Sequence, residues 1–74
     1  MNKQRRKQIE AAITILEALK SSVEEIRDAE EDAFDNLPES IQESERGEEM
    51  QEYVDALEDA CDSLDEALDR LTDI

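Results

Sequence analysis

The chain has no histidine and no tryptophan. It has one residue each of glycine, proline, cysteine, tyrosine and phenylalanine among 74. Without histidine, the usual zinc sites and the Cys–His or Ser–His catalytic pairs cannot be assembled. A single cysteine, Cys61, closes no internal disulfide, so a reducing compartment, the cytoplasm, is the expected setting. The scarcity of glycine and proline is unlike a flexible linker. No run of about 18 apolar residues exists, so no membrane span is expected. The stretch from Ile9 to Leu19 is broken by Glu10, Thr14 and Glu17, which rules against a secretory signal. Bases are scarce too. Eight Lys or Arg face 23 Asp or Glu, a net charge of −15. Such a surface repels polyanions, so direct binding to nucleic acid is not expected.

What is present is heptad periodicity. With Ile9 as position a, that position holds Ile9, Leu16, Val23, Glu30 and Leu37. Position d holds Ala12, Leu19, Ile26 and Ala33, and e adds Ile13 and Phe34. A wide apolar stripe of this kind is the mark of a helix that buries one face. The spacing predicts a helix over 3–35, roughly 50 Å long at 1.5 Å per residue. It ends before Pro38, because the residue preceding a proline is pushed out of the α region. Pro38 can open a single turn as its first residue. Ser40 to Glu43 fits a capping box, and Ser44 is a second candidate N-cap. Gly47 either loosens the next helix or lets another backbone approach closely.

The second half repeats the pattern. Met50, Leu57, Leu64 and Leu71 hold a; Tyr53, Ala60, Ala67 and Ile74 hold d; Val54, Cys61 and Leu68 hold e. A helix over 45–73 follows, joined to the first by a turn over 36–44. The expected fold is all-α: one domain over 1–74, a coiled-coil-like antiparallel two-helix hairpin. Two stripes this wide are not fully covered by each other, so hairpins should pair into a homodimeric four-helix bundle. Its self-association core is Ile9, Ile13, Leu16, Leu19, Val23, Ile26, Val54, Leu57, Leu64, Leu68 and Leu71. Tyr53 is expected in that core with its hydroxyl at the rim, Cys61 at the core edge, and Phe34 plugging the turn end.

The acids of the second helix are ordered. Glu48, Glu52, Asp55, Asp59, Asp62, Glu66, Asp69 and Asp73 alternate in steps of four and three, at positions f and c, opposite the core. The line contains seven like-charge neighbours, each costing a few tenths of a kcal/mol, in all roughly 1.5–3.5 kcal/mol at low salt. A solvated face needs no such line. Charges every 3.5 residues lie about 5 Å apart along the axis. Phosphates on one nucleic-acid strand rise about 3.4 Å per nucleotide, with a longer path along the backbone. The line can therefore stand in for phosphates in a Lys/Arg groove.

Lys3, Arg5, Arg6 and Lys7 carry half of the positive charge. In a hairpin they lie near Asp62, Asp65, Asp69 and Asp73, where they can clasp the open end, or form a basic arm. The turn offers a second candidate surface in Asn36, Pro38 and Arg46, the last expected to pair with Glu39, Glu43 or Glu49. No calcium-loop spacing and no Glu-x-x-His metal motif is present, and the serines lack a base partner. No enzyme, cofactor or metal site is expected.

The run FDNLPESIQESERGEEM, residues 34–50, lies between these heptads. With them it resembles a group of small, uncharacterised acidic coiled-coil proteins of bacterial viruses and prophages. The resemblance transfers no catalytic or binding residue. It implies stoichiometric action on host machinery, as by anti-restriction and anti-CRISPR proteins that mimic nucleic acid. The expected function is thus a non-enzymatic phage-type interaction protein in the host cytoplasm. Its acidic line would occupy the basic groove of a host defence protein. The alternative is a structural oligomerisation or adaptor module whose acidity confers only solubility.

Overall fold

A computed structural model describes all of residues 1–74. It contains three helices and no strand: α1 over Lys3–Asp35, α2 over Glu39–Gln42 and α3 over Glu45–Thr72. α1 and α3 pack antiparallel as a hairpin 58 Å long and 14 by 12 Å across at Cα. Its radius of gyration is 17.1 Å, against about 11 Å for a compact domain of this length. The all-α hairpin is the one the heptads predict; α1 spans the expected residues, α3 ends at Thr72 rather than 73, and the turn holds the short helix α2.

α1 begins at Asn2, whose Oδ1 accepts from the backbone N–H of Arg5 at 2.8 Å. This satisfies one of the orphan donors of the first turn. α1 ends at Asn36, whose N–H donates to the Asp32 carbonyl at 3.1 Å. Pro38 then starts α2 from the cap position rather than from the first helical residue. Its ψ of 146° is extended, and its carbonyl accepts from Ile41 and Gln42 at 2.9 and 3.0 Å.

The capping box expected at Ser40 does not form, because Ser40 lies inside α2. Ser44 is the N-cap residue of α3, yet its hydroxyl turns back to donate to the Ile41 carbonyl and caps nothing. Gln42 has the structural role here. Its Nε2 donates to the Phe34 carbonyl at 3.0 Å and reaches that of Asp35 at 3.5 Å, tying the end of α1 to α2.

Gly47 holds the other side of that corner. It is buried, and a Cβ placed on it would lie 2.0 Å from the Gln42 carbonyl oxygen. Its φ is not positive. The glycine is therefore required for the close approach of α2 to α3, the second of its two expected roles. Phe34, Leu37 and Met50 are half-buried at this end.

The seam between the long helices runs on positions a and e. From α3 it takes Val54 and Cys61, 2% and 4% exposed, with half-buried Leu57, Leu64, Leu68 and Leu71. From α1 it takes half-buried Ile9, Ile13, Leu16, Val23 and Phe34. The middle of α1 offers Lys20 and Arg27 at e, and both are half-buried. Their aliphatic stems cover the seam while their charged ends reach its edge.

Position d stays outside, apart from half-buried Ala67. Leu19 is 49% exposed, Ile26 57% and Tyr53 50%. These three were expected in the core, and in a single hairpin they are not. Cys61 conversely lies in the middle of the seam rather than at its edge. Positions a and e alternate in steps of four and three, as a and d do, so the helical wheel admits either seam, and packing selects a and e here.

Candidate functional site: the acidic face of α3

The α3 sequence winds its eight alternating acids into one row. Glu48, Glu52, Asp55, Asp59, Asp62, Glu66, Asp69 and Asp73 are all exposed. From Glu48 to Asp73 the row rises 25 residue steps, about 37 Å at 1.5 Å per residue. None of the eight forms an ion pair. The two salt bridges of the molecule join Lys20 to Asp65 and Arg27 to Asp28. Within the row, Asp55 accepts from the Gln51 side chain at 3.1 Å. The remaining carboxylates meet solvent only, and the helix holds their like charges side by side.

Lys20 reaches across the hairpin to Asp65. This hydrogen bond holds the Lys20 ammonium above its usual 10.5, against partial desolvation. Arg27 donates to its own neighbour Asp28 at 3.0 and 3.1 Å, which likewise raises it. The Tyr53 hydroxyl donates to Glu49, and that bond to a carboxylate pushes the phenol above 10.0. Sequence reading missed Lys20 and Arg27. Their signal was two bases at successive e positions, between Ile13 and Phe34.

The basic start does not clasp the acids expected of it. Arg6 Nη1 donates to the Ile74 carbonyl at 3.2 Å, and Lys3, Arg5 and Lys7 form no ion pair. Asp65, one of the anticipated partners, is taken by Lys20. The open end is thus held by a backbone carbonyl, over an open groove of about 160 Å³ between Ile9, Ile13, Leu71 and Ile74.

At the turn, Asn36 and Pro38 are occupied in ending α1 and starting α2. Arg46 is exposed and pairs with none of Glu39, Glu43 or Glu49. No three acidic or thiol side chains gather as a metal-holding cluster. No helix is long and apolar enough to cross a membrane. No protein-family model matches the chain, and neither a curated protein nor a solved structure matches it.

Proposed function

We propose that this chain is a non-enzymatic interaction protein of the kind made by bacterial viruses and prophages. It works in the host cytoplasm as a homodimer. Its α3 acid row occupies a basic groove on a host defence protein, in place of nucleic acid. The observation that carries the reading is the row itself: eight exposed carboxylates in one line, none neutralised by a base. A helix that needed only solubility could interleave Lys with Glu and gain stability from the pairs. Here the repulsion is retained along the whole of α3. A rigid row has its charges already placed for a complementary groove, and binding releases the counterions condensed on both partners.

The test is capture from bacterial lysate by the tagged chain. The comparison is the variant Glu52→Gln, Asp59→Asn, Glu66→Gln and Asp73→Asn. The captured partner is expected to be a nucleic-acid-binding protein. Its affinity should fall at least tenfold with the variant and steeply with salt, and nucleic acid should compete for it. Full retention by the variant overturns the reading and moves the search to Arg46 and the turn.

The exposed d positions favour a second reading, an oligomerisation or adaptor module. It predicts self-association with no loss of partners when the row is neutralised.

A further inference from the structure

Because the seam uses a and e, positions d and g form a separate face along the hairpin. On a helical wheel of 100° per residue, d lies about 80° and g about 140° from the centre of the seam. Both helices are right-handed and run in opposite directions. Their d positions therefore emerge on the same side, and the acid-rich b and f positions on the other.

This face carries almost no charge. From Gln8 to Asn36 all nine d and g positions of α1 are neutral, in a chain of which 42% of residues are charged. Its apolar members are Ala12, Ile15, Leu19, Ile26, Ala29 and Ala33. On α3, the positions from Tyr53 to Ala67 are neutral and mostly small, with Glu49 before them and Arg70 after. Five of the seven large apolar side chains left exposed lie here: Ile15, Leu19, Ile26, Tyr53 and Ile74.

We infer that a second copy of this chain covers the face, running in the opposite direction, so that α1 lies beside the partner's α1 and α3 beside the partner's α3. Area supports a copy as the occupant. The stretch from Ala12 to Ala33 is about 32 Å long, and two helices are about 20 Å wide, giving on the order of 1,250 Å² buried over both copies. That falls within the range of stable interfaces. Chemistry supports it as well: a bundle core that adds d to the a and e seam needs two more helices with the same uncharged stripe, and the copy has them.

The direction follows from charge. At the open end, residues 1–8 and 66–74 hold five bases and three acids. At the turn end, residues 30–52 hold ten acids and one base, Arg46. Opposed copies set the basic end of each over the acidic turn of the other. Copies in the same direction would set turn on turn, ten acids against ten. The opposed register that levels Leu57 with the partner's Ala60 also sets Glu49 within about 3 Å, along the axis, of the partner's Arg70. These are the two charges that bracket the α3 part of the face.

This arrangement deepens the proposed function and, in this step only, rests on it. With the two α3 helices adjacent, both acid rows open on one side of the bundle. They run antiparallel on axes about 10 Å apart. Two antiparallel rows of negative charge are the layout of a duplex, so the groove they fit is one that holds double-stranded nucleic acid.

Sedimentation equilibrium of the full chain at tens of micromolar should give a dimer, twice 8.5 kDa; a monomer overturns the inference. Ser40→Cys, spin-labelled in the native background where Cys61 is buried, reports direction. It is repeated in a Cys61→Ala background whose helicity is checked by circular dichroism. Opposed copies place the two labels about 40 Å apart. A separation under about 25 Å means turn on turn and overturns the inference.

Glu49→Arg or Arg70→Glu alone should weaken the dimer several-fold, and the double exchange should restore it. No recovery in the double overturns the register. Duplex should displace the captured partner better than single strands do. A dimer of the stated direction whose partner is indifferent to the neutralised row leaves this inference standing and removes the mimic reading.

Discussion

Gly47 decides how α2 meets α3. In an open helix, glycine to alanine would gain about 1 kcal/mol. Here the added methyl would lie 2.0, 2.5 and 2.7 Å from the oxygen, carbon and Cα of Gln42, all backbone. Backbone cannot swing aside as a side chain can, so α2 must lift from α3. Gly47→Ala should destabilise the hairpin by about 1–3 kcal/mol in urea unfolding, the cost of overpacking outweighing propensity. Unchanged or raised stability would show that the corner is loose. Tyr53 gives a second residue-scale test. Its hydroxyl donates to Glu49, which favours the neutral phenol, so the folded pKa lies above 10.0. The linked stability is full below 10.0 and is lost as pH rises through the folded value. As the single tyrosine, it can be titrated by phenolate absorbance. The midpoint should lie above 10.0 in the native chain and fall back toward it in Glu49→Ala.

At the scale of the element, α3 holds seven like-charge neighbours along its acid row, and every second member is at position c. Neutralising Glu52, Asp59, Glu66 and Asp73 therefore breaks all seven. The hairpin should become more stable by roughly 1.5–3.5 kcal/mol at low salt, read by urea unfolding, with the gain shrinking as salt is added. A loss of stability would mean that the row is paired in a way the ion pairs at Lys20 and Arg27 do not suggest. Much of this element was legible from spacing. The apolar stripe gave both long helices and the turn, and steps of four and three gave the acid row. The sequence could not say which part of a three-position stripe faces the other helix. Leu19 at d and Leu16 at a are equally apolar, and only packing chooses between them. Nor could it show Lys20 and Arg27 as seam residues, because a charged residue reads as surface until the fold half-buries it. The corner was partly legible: Gly47 carried the right alternatives. Gln42 was read as part of a capping box, since its bond to the Phe34 carbonyl spans eight residues and has no local signature.

For the whole molecule, the same sequence that makes a long hairpin leaves it with a thin interior. Three residues are buried, one of them a glycine, and a chain of this size is marginal even with a well-formed core. The net charge of −15 adds repulsion that grows when two copies meet. Stability should therefore depend on two variables together. If burial is completed by a second copy, the melting temperature rises with protein concentration, because folding and association are linked. If repulsion dominates the electrostatics, it also rises with salt. The form of that rise follows from the spacing of the charges. Acids about 5 Å apart along the row are still within the Debye length of about 10 Å at 0.1 M, and are screened only as it approaches about 3 Å at 1 M. The melting temperature of the native chain should therefore keep climbing from 0.1 to 1 M sodium chloride rather than level off, read by circular dichroism at two protein concentrations. In the variant with the four c acids neutralised, the same curve should flatten. A melting temperature that falls with salt would put the ion pairs, not the acid row, in control of the fold.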